Sequence, residues 1–417
     1  MSKSLCVIGL GYIGLPTAAI FASAGWDVIG VDINPMIVEK LNQGKIHIEE
    51  TGLEDAVQKA VAQGKLRAQL EPTNADCFII AVPTPINSDN IANIDYVLQA
   101  TKAILPFIKQ DNVIIIESTI PPRTIDDKIV PIFQEEGWRV GENIYLAYCP
   151  ERVLPGRILT ELVENSRIVG GVNEHSAQKA ADVYKTFVKG TILTTTTVNA
   201  EMVKLMENTY RDVNIALVNE LVKICDHLHI DALEVIKFAN FHPRVNLHLP
   251  GPGVGGHCIA VDPYFIIEKA PNQSVLISNA REINNSMPSF VIEKVKKLVP
   301  NVNTKIAVFG LSYKGNNDDV RESPAVSVLK LLQLEGYHIA VYDPHVNQNQ
   351  IETKLTSFEE AITDAECILV LTDHNEFKDI SENRIIHLMK KPVIFDTRNC
   401  IEVKDNRISY FNYGKLP

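Results

Sequence analysis

The 417-residue sequence has no excess of positive charge, no paired cysteines and no apolar run long enough to cross a bilayer, and each absence excludes something. With 40 Lys and Arg against 51 Asp and Glu, the formal net charge is -11. A chain of that sign does not gather nucleic acid or anionic membrane by bulk attraction, so neither is expected as a partner. Any phosphate must be held by local loops and placed cations. The seven cysteines (Cys6, Cys77, Cys149, Cys225, Cys258, Cys367 and Cys400) are odd in number and far apart, without a Cys-x-x-Cys pair. Neither a disulfide framework nor a metal site is expected. The N-terminus runs directly into strand-like Leu5-Cys6-Val7-Ile8 without the features of a secretory leader, so a cytoplasmic protein is expected.

What is present is enough apolar residue, 46% of the chain, to bury large cores in two or three domains. Short apolar runs bounded by Gly, Asp or Pro recur at residues 5–9, 28–32, 77–82, 113–117 and 143–147. Longer stretches with helical spacing separate them, the pattern of a parallel sheet with crossover helices. Over residues 199–229 the pattern becomes one long amphipathic helix, with Met202, Leu205, Met206, Tyr210, Val213, Leu217, Leu221 and Leu228 at helical intervals. Strand-like runs return at 305–310, 338–343, 366–372 and 392–396. The expected fold is α/β, two Rossmann-like parallel-sheet domains joined by a central helical domain, divided as 1–197, 198–298 and 299–417.

Gly9-x-Gly11-x-x-Gly14 directly follows a strand-like run and opens a helical one. The glycines permit a tight turn, close approach of backbone to a pyrophosphate and close helix packing, while the helix N-terminus supplies N–H donors. Asp32 ends the second strand, where an acid binds ribose hydroxyls and rejects a 2'-phosphate. The cofactor expected is NAD, bound by Gly9, Gly11, Tyr12, Ile13, Gly14 and Asp32. Thr84 and Thr119 follow later strands and either line the same cofactor or sit in proline-stabilised turns. A second copy of this layout runs from Gly310-Leu311-Ser312-Tyr313-Lys314-Gly315, but with Ser312 for the middle glycine and a new cation, Lys314. It is expected to take a different phosphate ligand.

Residues 250–263 hold four glycines in six positions (Gly251, Gly253, Gly255, Gly256), followed at once by His257-Cys258. Such a loop makes little core and is expected to let a ligand approach its backbone. A thiolate at Cys258 could attack an aldehyde, and hydride loss from the thiohemiacetal would leave a thioester for water to hydrolyse. Lys204, Asn208 and Arg211, at i, i+4 and i+7 on the long helix, form either a reactive polar stripe or a solvated face. Tyr148-Cys149-Pro150-Glu151-Arg152-Val153-Leu154-Pro155-Gly156 concentrates charge in a loop after a strand.

Taken together, Gly9-x-Gly11-Tyr12-x-Gly14-Leu15-Pro16, Glu201-x-x-Lys204-x-x-x-Asn208, Gly253-x-Gly255-Gly256-His257-Cys258 and Tyr313-Lys314-Gly315 with Arg321-Glu322-Ser323 resemble the UDP-glucose/GDP-mannose dehydrogenase family. The 148–156 motif and His257-Cys258-Ile259-Ala260-Val261-Asp262-Pro263 look like its UDP-N-acetylmannosamine branch; the UDP-glucose branch tends to carry Asn-Pro-Glu-Phe and a Ser before the cysteine. The resemblance implies a four-electron oxidation by two NAD in turn, Cys258 as nucleophile, and proton transfer at Lys204 with Asn208 and Asp262. It assigns thioester hydrolysis to Glu151. It sets Arg152, Val153, Arg211, His242, Arg244, Gly255, Tyr313, Lys314 and Arg398 at the UDP-sugar, and Arg321 at the cofactor. It also implies a homodimer and a product that feeds surface polysaccharide synthesis. A hydroxyacid dehydrogenase would leave Cys258 unexplained, and a non-catalytic sensor would not need Cys258, Lys204, Asn208 and Asp262 together.

Overall fold

The computed structural model describes residues 3–154 and 156–417; Pro155 of the loop motif lies outside them. Two compact units emerge, Met1–Glu207 with Tyr264–Pro271, and Asn208–Pro263 with Asn272–Pro417.

The first unit is built on an eight-stranded sheet of β1 (Ser4–Ile8), β2 (Asp27–Val31), β3 (Leu66–Gln69), β4 (Cys77–Ile80), β5 (Val113–Ile116), β6 (Tyr145–Tyr148), β7 (Arg167–Gly171) and β8 (Ile192–Thr196). Their order across the sheet is β3-β2-β1-β4-β5-β6-β7-β8. All neighbours run parallel except β6 and β7, whose register sets Ala147 against Gly171 and Tyr148 against Gly170. The central strands are continuous apolar runs because both faces are covered. Leu5 and Val7 enter one core with Leu15, Phe21 and Ile79, while Cys6 and Ile8 enter the opposite one with Phe78, Ile114 and Leu146. Helix Gly14–Ser23, almost wholly buried, follows β1 at once.

The second unit holds a five-stranded parallel sheet, β9 (Lys305–Phe309), β10 (His338–Tyr342), β11 (Cys367–Val370), β12 (Val393–Asp396) and β13 (Ser409–Asn412), in the order β10-β9-β11-β12-β13. The same alternation splits Ile306 and Val308 from Ala307 and Phe309. With β1 matched to β9 and β2 to β10, this order repeats β2-β1-β4-β5-β6 of the first sheet.

The long helix spans Thr197–Leu228, 32 residues, close to the expected 199–229. Helices Ala232–Ala239, Asp262–Lys269 and Val275–Leu298 follow it. Four strands lie outside the runs expected from sequence: β3, β7, β8 and β13. β3 exposes alternate residues, β8 is largely solvent-accessible, β13 is half-buried with polar residues at both ends, and β7 begins on an arginine, so none presents an apolar run.

Candidate active site

In the first unit the loop after β1 has the geometry a dinucleotide requires. Gly9 sits at φ +92°, where a Cβ would lie 2.6 Å from the Ala81 carbonyl oxygen. A Cβ on Gly14 would lie 1.8 Å from the Gly9 carbonyl oxygen, so these two glycines are demanded by the protein's own backbone. Gly11 differs: a Cβ there would meet nothing within 4 Å, and the space over it is open for a ligand. The half-exposed Asp32 carboxylate accepts the Leu10 N–H at 3.1 Å and the Asn34 N–H at 2.9 Å, which aims it back at the loop. Tyr12 is exposed and Ile13 half-buried beside it. Thr84 and Thr119 are brought together, since Thr84 Oγ1 donates to the Thr119 carbonyl at 2.6 Å. Ser118 ties the same two turns by accepting the Val82 N–H and donating to the Val82 carbonyl. These residues fit NAD at the carboxyl edge of a parallel sheet.

Beyond β6, Glu151 is buried and accepts the Arg152 N–H. Burial raises its pKa above the usual carboxylate range, opposed by the positive charges of Arg167 and Lys204. The Arg152 side chain is engaged by Glu207, at 2.8 Å from Nε, and by the Ser166 carbonyl, while Val153 is half-buried. Lys204 is half-buried on the long helix, and Glu201, one turn earlier, accepts the Arg123 and Ile125 N–H groups.

The second unit carries the cysteine loop. The Cys258 carbonyl accepts the Val261 and Asp262 N–H groups at 3.0 and 2.8 Å, so the half-exposed cysteine sits in the turn that starts helix Asp262–Lys269. Buried Asp262 accepts a hydrogen bond from Asn208 Nδ2 at 2.6 Å, which ties the cysteine's turn to the long helix. Farther along that helix, Asn219 accepts the Gly251 N–H at 3.0 Å and donates to Asn284. Asp212 accepts from Asn284 and, at 2.6 Å, from Arg281. This buried amide and carboxylate ladder fixes the start of the loop, and the sequence reading did not anticipate it.

The loop glycines turn out to serve internal packing. A Cβ on Gly255 would lie 2.8 Å from Tyr313 Cβ, one on Gly256 would touch the Tyr313 ring, and one on Gly251 would lie 2.7 Å from Arg398 Nη1. Glycine thus lets the loop press onto Tyr313 and Arg398, rather than clearing space over its backbone. The Gly256 N–H donates to the Arg321 carbonyl, and the Arg321 guanidinium forks onto Asp319 at 2.9 and 2.6 Å. Arg398 donates to Asp373 at 3.0 Å, which also accepts the Gly315 N–H, next to Lys314. Cys258, Gly255, Tyr313, Lys314, Arg321 and Arg398 are therefore gathered on connected segments. Of the other expected substrate residues, Arg211 is exposed on the long helix, and His242 and Arg244 lie on an exposed turn where His242 Nδ1 accepts the Arg244 N–H.

Descriptions of the UDP-glucose/GDP-mannose dehydrogenase family match three consecutive regions: its NAD-binding domain over residues 3–188, its central domain over 198–286 and its UDP-binding domain over 307–403. A Methanococcus maripaludis protein named UDP-N-acetyl-D-mannosamine dehydrogenase is 48% identical over 410 residues, covering 96% of this chain and 93% of its own. The structure of the UDP-N-acetyl-mannosamine dehydrogenase Cap5O from Staphylococcus aureus superposes with a TM-score of 0.92 at 50% identity, covering 99% of both chains. The corresponding UDP-D-ManNAc dehydrogenase of Pyrococcus horikoshii gives a TM-score of 0.92 at 40% identity over 99% of both chains. The chain belongs to the UDP-glucose/GDP-mannose dehydrogenase family.

Proposed function

We propose that this chain oxidises the primary alcohol of UDP-N-acetylmannosamine to the carboxylate, giving UDP-N-acetylmannosaminuronate for surface polysaccharide synthesis. Family membership makes it an NAD-dependent oxidoreductase of a nucleotide sugar; the identity of the sugar is supported by the names of its relatives. NAD, held by Gly9, Gly11, Tyr12, Ile13, Gly14 and Asp32 and flanked by Thr84, Thr119 and Arg321, supplies the hydride acceptor for each of two oxidations.

The chain's own residues do the rest. Lys204 takes the proton of the sugar hydroxyl as the aldehyde level is reached, and Asn208 donates a hydrogen bond to the oxygen on which charge develops. Cys258 adds its sulfur to the aldehyde carbon to give a thiohemiacetal, and the second oxidation leaves a thioester. Asp262 orients Asn208 through their shared hydrogen bond. Glu151 removes a proton from water; the hydroxyl adds to the thioester carbon, the carbon–sulfur bond breaks, and the sulfur leaves as thiolate to be protonated. Arg152, Val153, Arg211, His242, Arg244, Gly255, Tyr313, Lys314 and Arg398 hold the UDP-sugar.

The observation that carries this reading is the link Cys258 turn–Asp262–Asn208, which joins the sulfur's loop to the helix bearing Lys204. The division at 1–197, 198–298 and 299–417 is retained. A homodimer through the long helix is supported by its exposed apolar stripe of Met206, Tyr210, Leu217, Ile224 and Leu228. A cytoplasmic location is supported by seven free cysteines; among the described residues no helix is long and apolar enough to cross a membrane.

The test counts NADH per uronate with UDP-N-acetylmannosamine, UDP-N-acetylglucosamine and UDP-glucose. Two NADH per acid, with the first sugar turned over fastest, is the expected result, and Cys258→Ala should bind NAD and UDP-sugar yet form no acid. An acid-forming Cys258→Ala variant, or a preference for UDP-glucose, overturns the assignment.

A further inference from the structure

A buried charge cluster lies behind Glu151 in the first unit. Glu117 follows β5, Arg167 opens β7 and Glu151 follows β6; all three are more than nine-tenths buried. One guanidinium faces both carboxyls, with Arg167 Nη1 3.8 Å from Glu117 Oε1 and Nη2 3.9 Å from Glu151 Oε2. It stacks 4.6 Å over the Tyr184 ring and donates to Cys149 Sγ at 3.7 Å. Tyr184 Oη donates to Glu117 Oε1 at 2.6 Å, and Thr17, on the helix of the cofactor loop, donates to Oε2 at 3.3 Å. Among the described residues Glu151 Oε2 accepts no hydrogen bond and Arg167 Nε donates none. The titratable and charged neighbours of the cluster are Cys149, Tyr184, Cys77 and Lys204.

Charge balance decides what such a cluster can do. Arg167 is shared by two carboxyls and the half-buried Lys204 adds its charge beside Glu151, so it is an ionised Glu117 that would leave an unpaired negative charge out of water; that costs several kcal/mol, and Glu117 keeps a proton. We propose that Glu117 and Arg167 are positioning residues for Glu151: Glu117 holds the shared proton, Arg167 is thereby left to Glu151, and Glu151 stays anionic at neutral pH as the base for thioester hydrolysis. This rests on the role given to Glu151 above. Burial and the Glu151 charge push the Glu117 pKa up to about 7, consistent with that division.

Two readouts test it. Infrared difference spectra between about pH 5.5 and 8.5, spanning a group that titrates near 7, should show a protonated-carboxyl band that is missing from Glu117→Gln and displaced to lower pH in Glu151→Gln, which removes the charge excess. A band that survives Glu117→Gln and disappears in Glu151→Gln puts the proton on the wrong carboxyl and overturns the proposal. In single turnovers, Arg167→Met should slow thioester hydrolysis about tenfold or more at neutral pH, equivalent to a shift of about one pKa unit or more. Acyl-enzyme should accumulate by mass, the acid limb of hydrolysis should move up, and KM for the UDP-sugar should change little. Arg167→Lys, which keeps the charge, should recover most of the loss. Slowing of both oxidations alike, with no shift of the limb and no recovery by lysine, would mean a structural role only. Should Glu151→Gln itself accumulate no acyl-enzyme, the role of Glu151 fails, while the infrared result still judges the charge assignment.

Discussion

The loops after β1 and β9 begin identically and then diverge. In each, the first glycine has positive φ, +92° at Gly9 and +85° at Gly310, and donates its N–H to the end of the neighbouring strand, at Val31 and Tyr342. In each, the next amide binds the aspartate that ends the second strand, Leu10 to Asp32 at 3.1 Å and Leu311 to Asp343 at 2.6 Å. The third position separates them. Gly11 is open to a ligand, whereas Ser312 is buried, donates to the Lys314 carbonyl and lies 3.3 Å from His374 Nε2. Asp343 is also spent internally, accepting the His345 and Val346 amides and facing His374 Nε2 at 3.2 Å. His374 Nδ1 accepts the Asn316 N–H at 2.9 Å, so both ring nitrogens are engaged; the nearby trio of His345, His374 and Glu376 is tied up in the protein's own bonds. The helix that follows starts at Gly14 in the first copy but only at Pro324 in the second, and the intervening loop carries Tyr313, Lys314 and Arg321. One scaffold thus gives an open pyrophosphate turn or a filled one, according to a single side chain and the point at which the helix begins.

Three perturbations would break or sharpen that contrast. The largest effect is expected from Gly11→Val, which fills only the open space: NAD affinity should fall about a hundredfold while stability changes by less than about 1 kcal/mol. Ser312→Ala should leave NAD affinity unchanged and raise KM for the UDP-sugar a few fold; equal effects of both variants on NAD would erase the distinction. Next come Gly14→Ala and Gly310→Ala, each of which forces a Cβ into protein atoms, 1.8 Å from the Gly9 carbonyl oxygen and 2.4 Å from Thr372 Cβ. Each should cost about 2–3 kcal/mol. Both tryptophans, Trp26 and Trp138, lie in the first unit, so a tryptophan-detected melt should move more for Gly14→Ala. Identical shifts would mean that the two units unfold as one.

The smallest effect concerns pH. In the first unit, burial raises Glu117 and Glu201 from 4.5 to about 7, so the folded state holds protons that the unfolded chain has released. Their contribution to stability is complete below about pH 4.5 and is lost as pH rises to about 7. In the second unit Asp343, Asp373 and Asp319 are lowered, the first by His374, the second by Arg398 and the third by Arg321, each against burial. Their contribution is present above the ordinary aspartate range and is lost as pH falls through it. The tryptophan-detected melting temperature should therefore decline between about pH 5 and 7, and Glu201→Gln should flatten the decline. A flat profile in the unmodified protein would contradict the protonated state of these acids.

Much of this was legible in the sequence because parallel strands buried on both faces must be apolar runs, and because glycine spacing and the terminal aspartate report backbone geometry directly. Nine of the strands and the long helix were visible on that basis, as was the cysteine loop. The purpose of that loop's glycines was not legible, since Tyr313 and Arg398 are distant in sequence and only folding brings them against it. Glu117 and Arg167 were missed for a related reason. A glutamate directly after Val113-Ile114-Ile115-Ile116 was a signal that a charge would be carried inward, but its partner begins a strand that has no apolar run to mark it.

The inverted strand has a consequence of its own. A parallel strand delivers its first residue to the margin opposite the ligands and its last residue to them. Because β7 runs against β6, continuing their register past Tyr148 and Gly170 sets Arg167 across from Glu151. The beginning of a strand is thereby made to serve the margin where substrates arrive. Had β7 run the same way as β6, Arg167 would stand at the opposite margin, away from Glu151.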